Sequence, residues 1–233
     1  MSTDPQTLNI SIIIPTLNEA EVIGTLLTEI QGISWTEIIV VDGGSHDNTP
    51  EIAASHGVKL IKTSPGRALQ MNKGAEAARG DILLFMHCDT WLEAGFADAI
   101  RAAVRQPGVT AGAFRLAINC RGLGLRIIER LVNFRSVVLR MPYGDQGIFM
   151  SSQEFKEVGG FPLQPIMEDF ELMRRLRRRG KIHILPFKAF TSDRHWNRQG
   201  IIRTTLINQA MIIAYLFGAA PEKLAEWYRK RKA

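Results

Sequence analysis

Apolar residues recur along this chain in two alternating rhythms. Ile10 to Ile14 is an apolar, β-branched run ending at Pro15, which predicts a buried strand that stops there. Glu19 to Ile30 then carries Val22, Ile23, Leu26, Leu27 and Ile30 at helical spacing. Glu37 to Asp42 is a second apolar run closed by two glycines, and Asn48-Thr49-Pro50 opens the next helix with a cap-type residue before proline. Val58 to Lys62 reads as a short strand, the alanine-rich segment Arg67 to Arg79 as a helix, and Asp81 to His87 as a further strand. Strand and helix in this alternation predict an α/β domain with a mostly parallel central sheet, right-handed crossovers and helices on both faces.

The second half is less regular. Thr110 to Ile118 predicts a strand, Leu123 to Arg140 an amphipathic helix bearing Arg126, Arg130, Arg135 and Arg140, Gly144 to Met150 a turn entering a strand, and Glu168 to Arg179 a helix. Ile201 to Phe217 reads as an apolar helix that is too short, and too interrupted by Asn208 and Gln209, to span a bilayer. Core burial is the favoured reading of that helix, because a sheet of this kind needs late helices to cover it.

Composition narrows the class. At 233 residues, 45% hydrophobic, the chain is long enough for a sizeable core, and we expect a single domain over 1–233. Its two cysteines, Cys88 and Cys120, fit neither a zinc ribbon nor a disulfide framework. The first ten residues lack the basic and apolar regions of a secretion signal, so a reduced, cytoplasmic setting is expected. The net charge of +6 is concentrated in Arg174 to Lys181 and Arg229 to Lys232. A solvated helix face with a polar tail accounts for it, and so would an anionic lipid or substrate. No nucleic-acid-binding module is recognisable, and nucleic acid is not expected as a partner.

Ligands of open α/β sheets bind at the carboxyl ends of the strands. Here those ends carry Pro15 to Glu19, Asp42 to Asp47 and His87 to Asp89. Asp42, followed by glycines, suits hydrogen bonding to a nucleobase or ribose, whereas Asp47 and Thr49 are explained by helix capping. The GxGxxG of dinucleotide folds is absent, which argues against a nicotinamide enzyme. Arg67 at a helix start either stays solvated or joins local N–H groups in holding a diphosphate. In Phe85 to Thr90, strand alternation would put His87 and Asp89 on one face and Cys88 on the other. That makes Asp89 a hard oxygen ligand suited to Mg2+ or Mn2+ on a diphosphate.

Together the segments IIIPTLNE, VVDGGSHDNT, GRALQMNKGAEAARGD, FMHCDT, GDQGIFM, GGFP and PIMEDFELMRRL resemble the family 2 glycosyltransferases of the GT-A fold over nearly the whole chain. More narrowly, the chain is similar to a small bacterial branch associated with arsenosugar or selenodomain clusters. The resemblance implies a nucleotide-sugar-binding half over 8–118, an acceptor-side half over 119–200 and a C-terminal helical extension over 201–233. It implies donor contacts from Pro15, Asn18, Glu19, Asp42, Arg67 and His87. His87 stands where the family usually has the first aspartate of its metal motif, and Asp89 matches the last. A divalent cation, Mn2+ or Mg2+, is implied at Asp89, with His195 as a further ligand. Gly144, Asp145, Gln146, Glu168 and Trp196 are implied on the acceptor side. For Glu168-Asp169, spacing alone favours helix capping; the resemblance assigns Asp169 as the base of an inverting transfer.

The implied reaction moves a sugar from a nucleotide-diphosphate donor to a hydroxyl of a small-molecule or lipid acceptor. Two other classes compete. A nucleotidyltransferase would carry a glycine-rich basic loop after the first strand, which PTLNEAE is not; a non-catalytic nucleotide- or membrane-binding module would have no use for Asp42, Asp89 and Asp169. Peripheral contact with the inner face of a membrane is a separate expectation, resting on the helix Leu123 to Arg140, the apolar helix after it and the basic tail.

Overall fold

The computed structural model describes residues 8–34, 36–118, 123–191 and 201–232. The strands among them are β1 (Ile10–Thr16), β2 (Thr36–Asp42), β3 (Lys59–Lys62), β4 (Ile82–Phe85), β5 (Thr90–Leu92), β6 (Val109–Ile118), β7 (Ile148–Ser151) and β8 (Lys181–Thr191). The helices are α1 (Ala20–Ile30), α2 (Thr49–Ser55), α3 (Arg67–Ala77), α4 (Phe96–Val104), α5 (Leu123–Leu139), α6 (Ser152–Val158), α7 (Glu168–Arg179), α8 (Ile201–Leu216) and α9 (Pro221–Lys232), with a short 3-10 turn at Gly144–Gln146.

All eight strands join one sheet in the order β3-β2-β1-β4-β7-β6-β8-β5. The pairs β1–β2, β1–β4, β2–β3 and β6–β8 are parallel, whereas β4–β7, β6–β7 and β5–β8 are antiparallel. The expected parallel sheet is therefore the first half, and the second half grafts reversed strands onto its β4 edge. Side chains alternate across the sheet as the pleat requires. Ile10, Ile12 and Ile14 pack with Ile23, Leu26 and Leu27 of α1 and Ile100 of α4. Ile13, Val41 and Leu83 face the other way, toward Met71 of α3 and Leu172 and Leu176 of α7. Helices thus cover both faces.

Three local results differ from the sequence expectation. β1 runs through Pro15 to Thr16, with Pro15 opposite Val41 of β2. Alternate residues of a parallel strand bond to opposite neighbours. The Ile13 carbonyl accepts from Met86 N, so Pro15 also faces the β4 side, where pairing has already ended at Ile13 and Phe85. Its missing N–H therefore costs no ladder bond. β4 stops at Phe85, so His87 to Thr90 form a turn, closed by Thr90 N donating to the His87 carbonyl, rather than a strand end. Finally, β8 received no element from the sequence, because Pro186 interrupts it. The ladder absorbs the proline in an irregularity between Ala113–Ile184 and Arg115–Lys188.

The described side chains of α8, residues 207–216, are partly buried and partly exposed. Ile207 and Met211 are buried with Leu224 of α9, while Ile213, Leu216 and Phe217 are exposed. Among the described residues no helix is long and apolar enough to cross a membrane.

α3 lies directly on β1 and β2 at Gly74, where an added Cβ would collide with Ile13 Cγ2 and stand 3.1 Å from Val41 Cγ2. In an open helix Gly→Ala gains about 1 kcal/mol. Here both neighbours are fully buried and overpacking, at about 1–3 kcal/mol, outweighs that gain. Gly74→Ala is expected to lower the urea midpoint; an unchanged or raised midpoint would mean that α3 does not sit this close.

Candidate active site

At the carboxyl ends of β1 and β2 a side chain takes part in the last hydrogen bonds. Gln70 of α3 is buried and its Nε2 donates at 2.8 Å to both the Thr16 and Val41 carbonyls. Beyond that clamp the loops after β1 and β2 hold one another. Asn18, in the left-handed region at φ 56°, accepts from His46 N through Oδ1 and donates its own N–H to Ser45 Oγ, each at 2.8 Å. The Glu19 N–H donates to Thr49 Oγ1 and the Ala20 N–H to Asp47 Oδ2, so α1 takes its cap from the neighbouring loop. Asp47 also accepts from the Thr49 hydroxyl and N–H, and the hydroxyl bond leads in holding its carboxyl below the usual range.

Asp42 is almost fully buried. Its Oδ2 accepts from the N–H groups of Gly44 and Ser45, each at 3.0 Å, and its Oδ1 from the Ser45 hydroxyl. Its carboxylate therefore organises the loop 43–46, a structural task the sequence reading, which gave Asp42 a nucleobase or ribose contact, did not foresee.

A narrow cleft lies beside the end of β4, lined by Arg67, Met71, Phe85, His87, Gly144, Ile148, Phe161 and Asp169. Topology explains the meeting. β7 runs antiparallel to β4 with Ile148 opposite Phe85, so the turn before β7 arrives next to His87. Asp169, in the first turn of α7, accepts from Gly144 N at 2.8 Å through Oδ2 and from Phe170 N at 2.7 Å through Oδ1. Gly144 is wedged between these groups: a Cβ there would stand 2.9 Å from His87 Nε2 and 3.3 Å from Asp169 Oδ2. Arg67 enters from α3 and lies 3.8 Å from Glu168 Oε1, an ion pair across the cleft rim whose arginine is half exposed and whose glutamate is buried.

The electrostatics are set by burial. His87 is pushed down to about 3 by desolvation, with the Arg67 charge adding to the shift, so its imidazole is neutral at ordinary pH. Asp145 is pushed up to about 6, first by burial and then by the charges of Asp169 and Asp89, against the opposing pull of Arg135. Glu168 is raised by burial and by its neighbour Asp169, with Arg67 opposing. Arg135 of α5 stacks 3.5 Å over the Tyr143 ring, and burial lifts that phenol to about 12. The Nε and Nη2 of Arg135 and the Oδ1 of Asp145 are buried without hydrogen-bond partners. Such groups call for water or a ligand.

Not every expected residue faces this cleft. Gln146 is fully buried: its Nε2 donates to the Phe114 carbonyl and its Oε1 accepts from Ser136 Oγ at 2.7 Å. Its amide is spent on packing the turn against α5 and β6, which corrects its expected place among acceptor contacts. Cys88 is buried in the core on the α1 and α4 side of the sheet, as expected. His195 and Trp196 lie outside the described residues. Gln70, Arg135 and Tyr143 went unassigned: the carbonyls that Gln70 serves are 54 and 29 residues away, and the stack of Arg135 on Tyr143 follows no helical or strand spacing.

Among the described residues no three His, Cys, Asp or Glu side chains stand close enough to enclose a metal ion. The candidates to hold one are Asp89 and Asp145, which offer hard oxygen, one atom of it orphaned and buried. That set fits Mg2+ or Mn2+, which keep waters and substrate phosphates as their other ligands.

His87 and Asp145 act oppositely on stability. As pH falls from about 6.5 toward 4, the unfolded chain gains a proton on histidine that folded His87 does not take, which destabilises the fold. Over the same range folded Asp145 gains a proton before its unfolded counterpart, which stabilises it; that contribution is complete below 3.8 and lost as pH rises through about 6. The pair should largely cancel. Metal-free Asp145→Asn is therefore expected to lose more stability than wild type between pH 6.5 and 4 in urea titrations. Parallel pH profiles would contradict the assignment.

Comparison with known proteins agrees with this architecture. The model of "Glycosyl transferase family 2" matches residues 11–156. A PGL/p-HBAD biosynthesis glycosyltransferase of Mycobacterium bovis (strain BCG / Pasteur 1173P2) is 33% identical over 153 residues, 60% of this chain and 60% of that protein. A glucosyl-3-phosphoglycerate synthase of Mycolicibacterium smegmatis is 30% identical over 92 residues, 34% of this chain and 30% of that one. The chain thus spans less than two thirds of these relatives. Among solved structures, the mannosyltransferase PcManGT of Pyrobaculum calidifontis, in complex with GDP-Man and Mn2+, superposes with a TM-score of 0.69 at 20% identity, covering 95% of this chain and 69% of that one. Glucosyl-3-phosphoglycerate synthase of Mycobacterium tuberculosis, with Mn2+, UDP and glucosyl-3-phosphoglycerate, gives 0.55 at 19% identity, covering 79% and 70%. These structures share the GT-A fold expected from the sequence. With its family model matched over more than half its length, the chain belongs to glycosyl transferase family 2.

Proposed function

We propose that this protein transfers a glycosyl group from a nucleotide-diphosphate sugar to an acceptor hydroxyl, with inversion and with a divalent cation. The observation that carries the reading is the convergence of Arg67, His87, Gly144 and Asp169 on one cleft at the carboxyl end of β4, in a chain of this family. The relatives' names and ligands support the donor class: GDP-Man in one structure, UDP in another, each with Mn2+.

In this reading the loops after β1 and β2, with Pro15, Asn18, Glu19 and the Asp42-organised turn, hold the nucleoside. Arg67 supplies positive charge to the diphosphate from a helix start. Its pairing with Glu168 is too long for a hydrogen bond, so its donors remain available to phosphate oxygens. A cation held by Asp89 and Asp145, with His195 as a further ligand, would stabilise charge on the departing diphosphate. Neutral His87 hydrogen-bonds the donor without adding charge.

Asp169 acts as the base. Each of its oxygens accepts one backbone N–H, which fixes the carboxylate and leaves lone pairs for the acceptor hydroxyl. The acceptor oxygen forms its bond to the anomeric carbon as the bond to the diphosphate breaks. The hydroxyl proton passes to Asp169, and the nucleoside diphosphate leaves. Gly144, Glu168 and Trp196 are assigned to the acceptor side, and Asp145, expected there from the sequence, is assigned instead to the cation.

Calorimetry with UDP, GDP, CDP and dTDP, with and without Mn2+, is the first test. One diphosphate should bind only with metal and fail to bind Asp89→Ala; a folded protein that binds none of them with metal present overturns the donor assignment. Asp169→Asn should retain that binding while transfer falls by about 10²–10⁴. Gly144→Ala, which crowds His87 and Asp169 together, should also keep the fold and lose transfer. Undiminished turnover in Asp169→Asn would remove this residue from the mechanism.

A further inference from the structure

α5 has one face that is exposed among the described residues. Its inner side is fixed to β6 and the turn before β7: Ile128 packs on Leu116 and Ile118, Asn133 Oδ1 and Nδ2 bond both backbone groups of Leu116, and Ser136 donates to Gln146. Its outer side presents Ile127, Leu131, Phe134 and Val138, exposed by 57%, 59%, 66% and 56%. Their spacing of four, three and four residues makes one continuous apolar stripe about 16 Å long. Isolated exposed apolar residues need no explanation, but a contiguous stripe does.

Charge identifies what the stripe meets. At 100° per residue, Arg126 and Arg130 fall along one edge of the exposed arc, and Arg140 follows the helix end. The arc carries no acid. Glu129, the acidic residue of α5, is turned inward to the Ile118 N–H and to Arg126. A second copy of this chain on the same face would bring two arginine edges together. An apolar stripe flanked by cations instead has the geometry of a helix lying in the plane of an anionic bilayer surface.

We propose that the outer face of α5, Ile127, Leu131, Phe134 and Val138 edged by Arg126 and Arg130, docks this protein onto anionic membrane surfaces. Docking there brings the cleft to the headgroups, because Arg135 of the same helix covers Tyr143, the residue before Gly144. The inference needs neither α8 nor the basic tail, and it holds whatever reaction the cleft performs.

The test uses the 233-residue chain with vesicles of phosphatidylcholine alone or containing about one-third phosphatidylglycerol, sedimented at low and at near-physiological salt. Wild type should sediment with the anionic vesicles, less so as salt rises. Leu131→Ser combined with Phe134→Ser should weaken this by about tenfold or more, and Arg126→Gln combined with Arg130→Gln should weaken it on anionic vesicles. Both double variants should keep wild-type melting, monomeric elution and diphosphate binding, which separates failure here from failure of the donor assignment. A folded wild type that stays in the supernatant overturns the proposal, as does sedimentation that survives the apolar double variant. A wild-type dimer split by the same substitutions also overturns it and gives the face to a second copy.

Discussion

The hydrogen bond from Gly144 N to Asp169 ties two elements of the second half together beside the end of β4. One partner sits in the turn leading into β7, the reversed strand that pairs with β4; the other opens α7. Without that bond, β7 would still pair with β4, but the start of α7 would be held near His87 only by the long Arg67–Glu168 ion pair and by apolar packing. A backbone donor is well suited to the task, since it has no rotamer to lose and its position is set by the β7 register. Glycine suits the donor side because a Cβ there would stand 2.9 Å from His87 Nε2 and 3.3 Å from Asp169 Oδ2, so both side chains would have to shift.

Around that bond the chain gathers more negative charge than a half-buried cleft tolerates by itself. The charge of Asp169 raises the cost of ionising both Asp145 and Glu168. The protein offsets this with two guanidinium groups, Arg67 at the rim and Arg135 on Tyr143, while buried His87 stays uncharged and contributes to neither sign. Neither arginine is locked into a bidentate pair with these carboxylates. The resulting balance leaves buried donors and an acceptor unspent, a cost to the empty fold that a charged ligand can repay.

Much of this was legible in sequence, for identifiable reasons. The β1–α1–β2 rhythm could be read because period two and period 3.6 are carried by fully buried residues such as Ile12 and Leu26. Polar residues at strand ends pointed to His87, whereas Gly144 and Asp169 came only from the family resemblance, since spacing alone read Asp169 as a helix cap. What could not be read depends on distance or on backbone. Gln70 serves carbonyls 54 and 29 residues away. Gln146, between glycines in a polar turn, looks like a ligand contact, yet Ser136 and Phe114 use its amide. β8 was hidden by Pro186, which strand rules exclude unless the ladder is known to be irregular there.

The loops after β1 and β2 bear on how such a protein can diverge. Four bonds cross between them, from Asn18 to Ser45 and His46, from Glu19 to Thr49 and from Ala20 to Asp47. Residues 18–20 and 45–49 therefore form a single mechanical body. A replacement at Asn18 releases the backbone of His46, and a replacement at Asp47 releases the start of α1. Whatever group these loops hold, its selectivity is inherited as a set, and a working variant must change both loops in step.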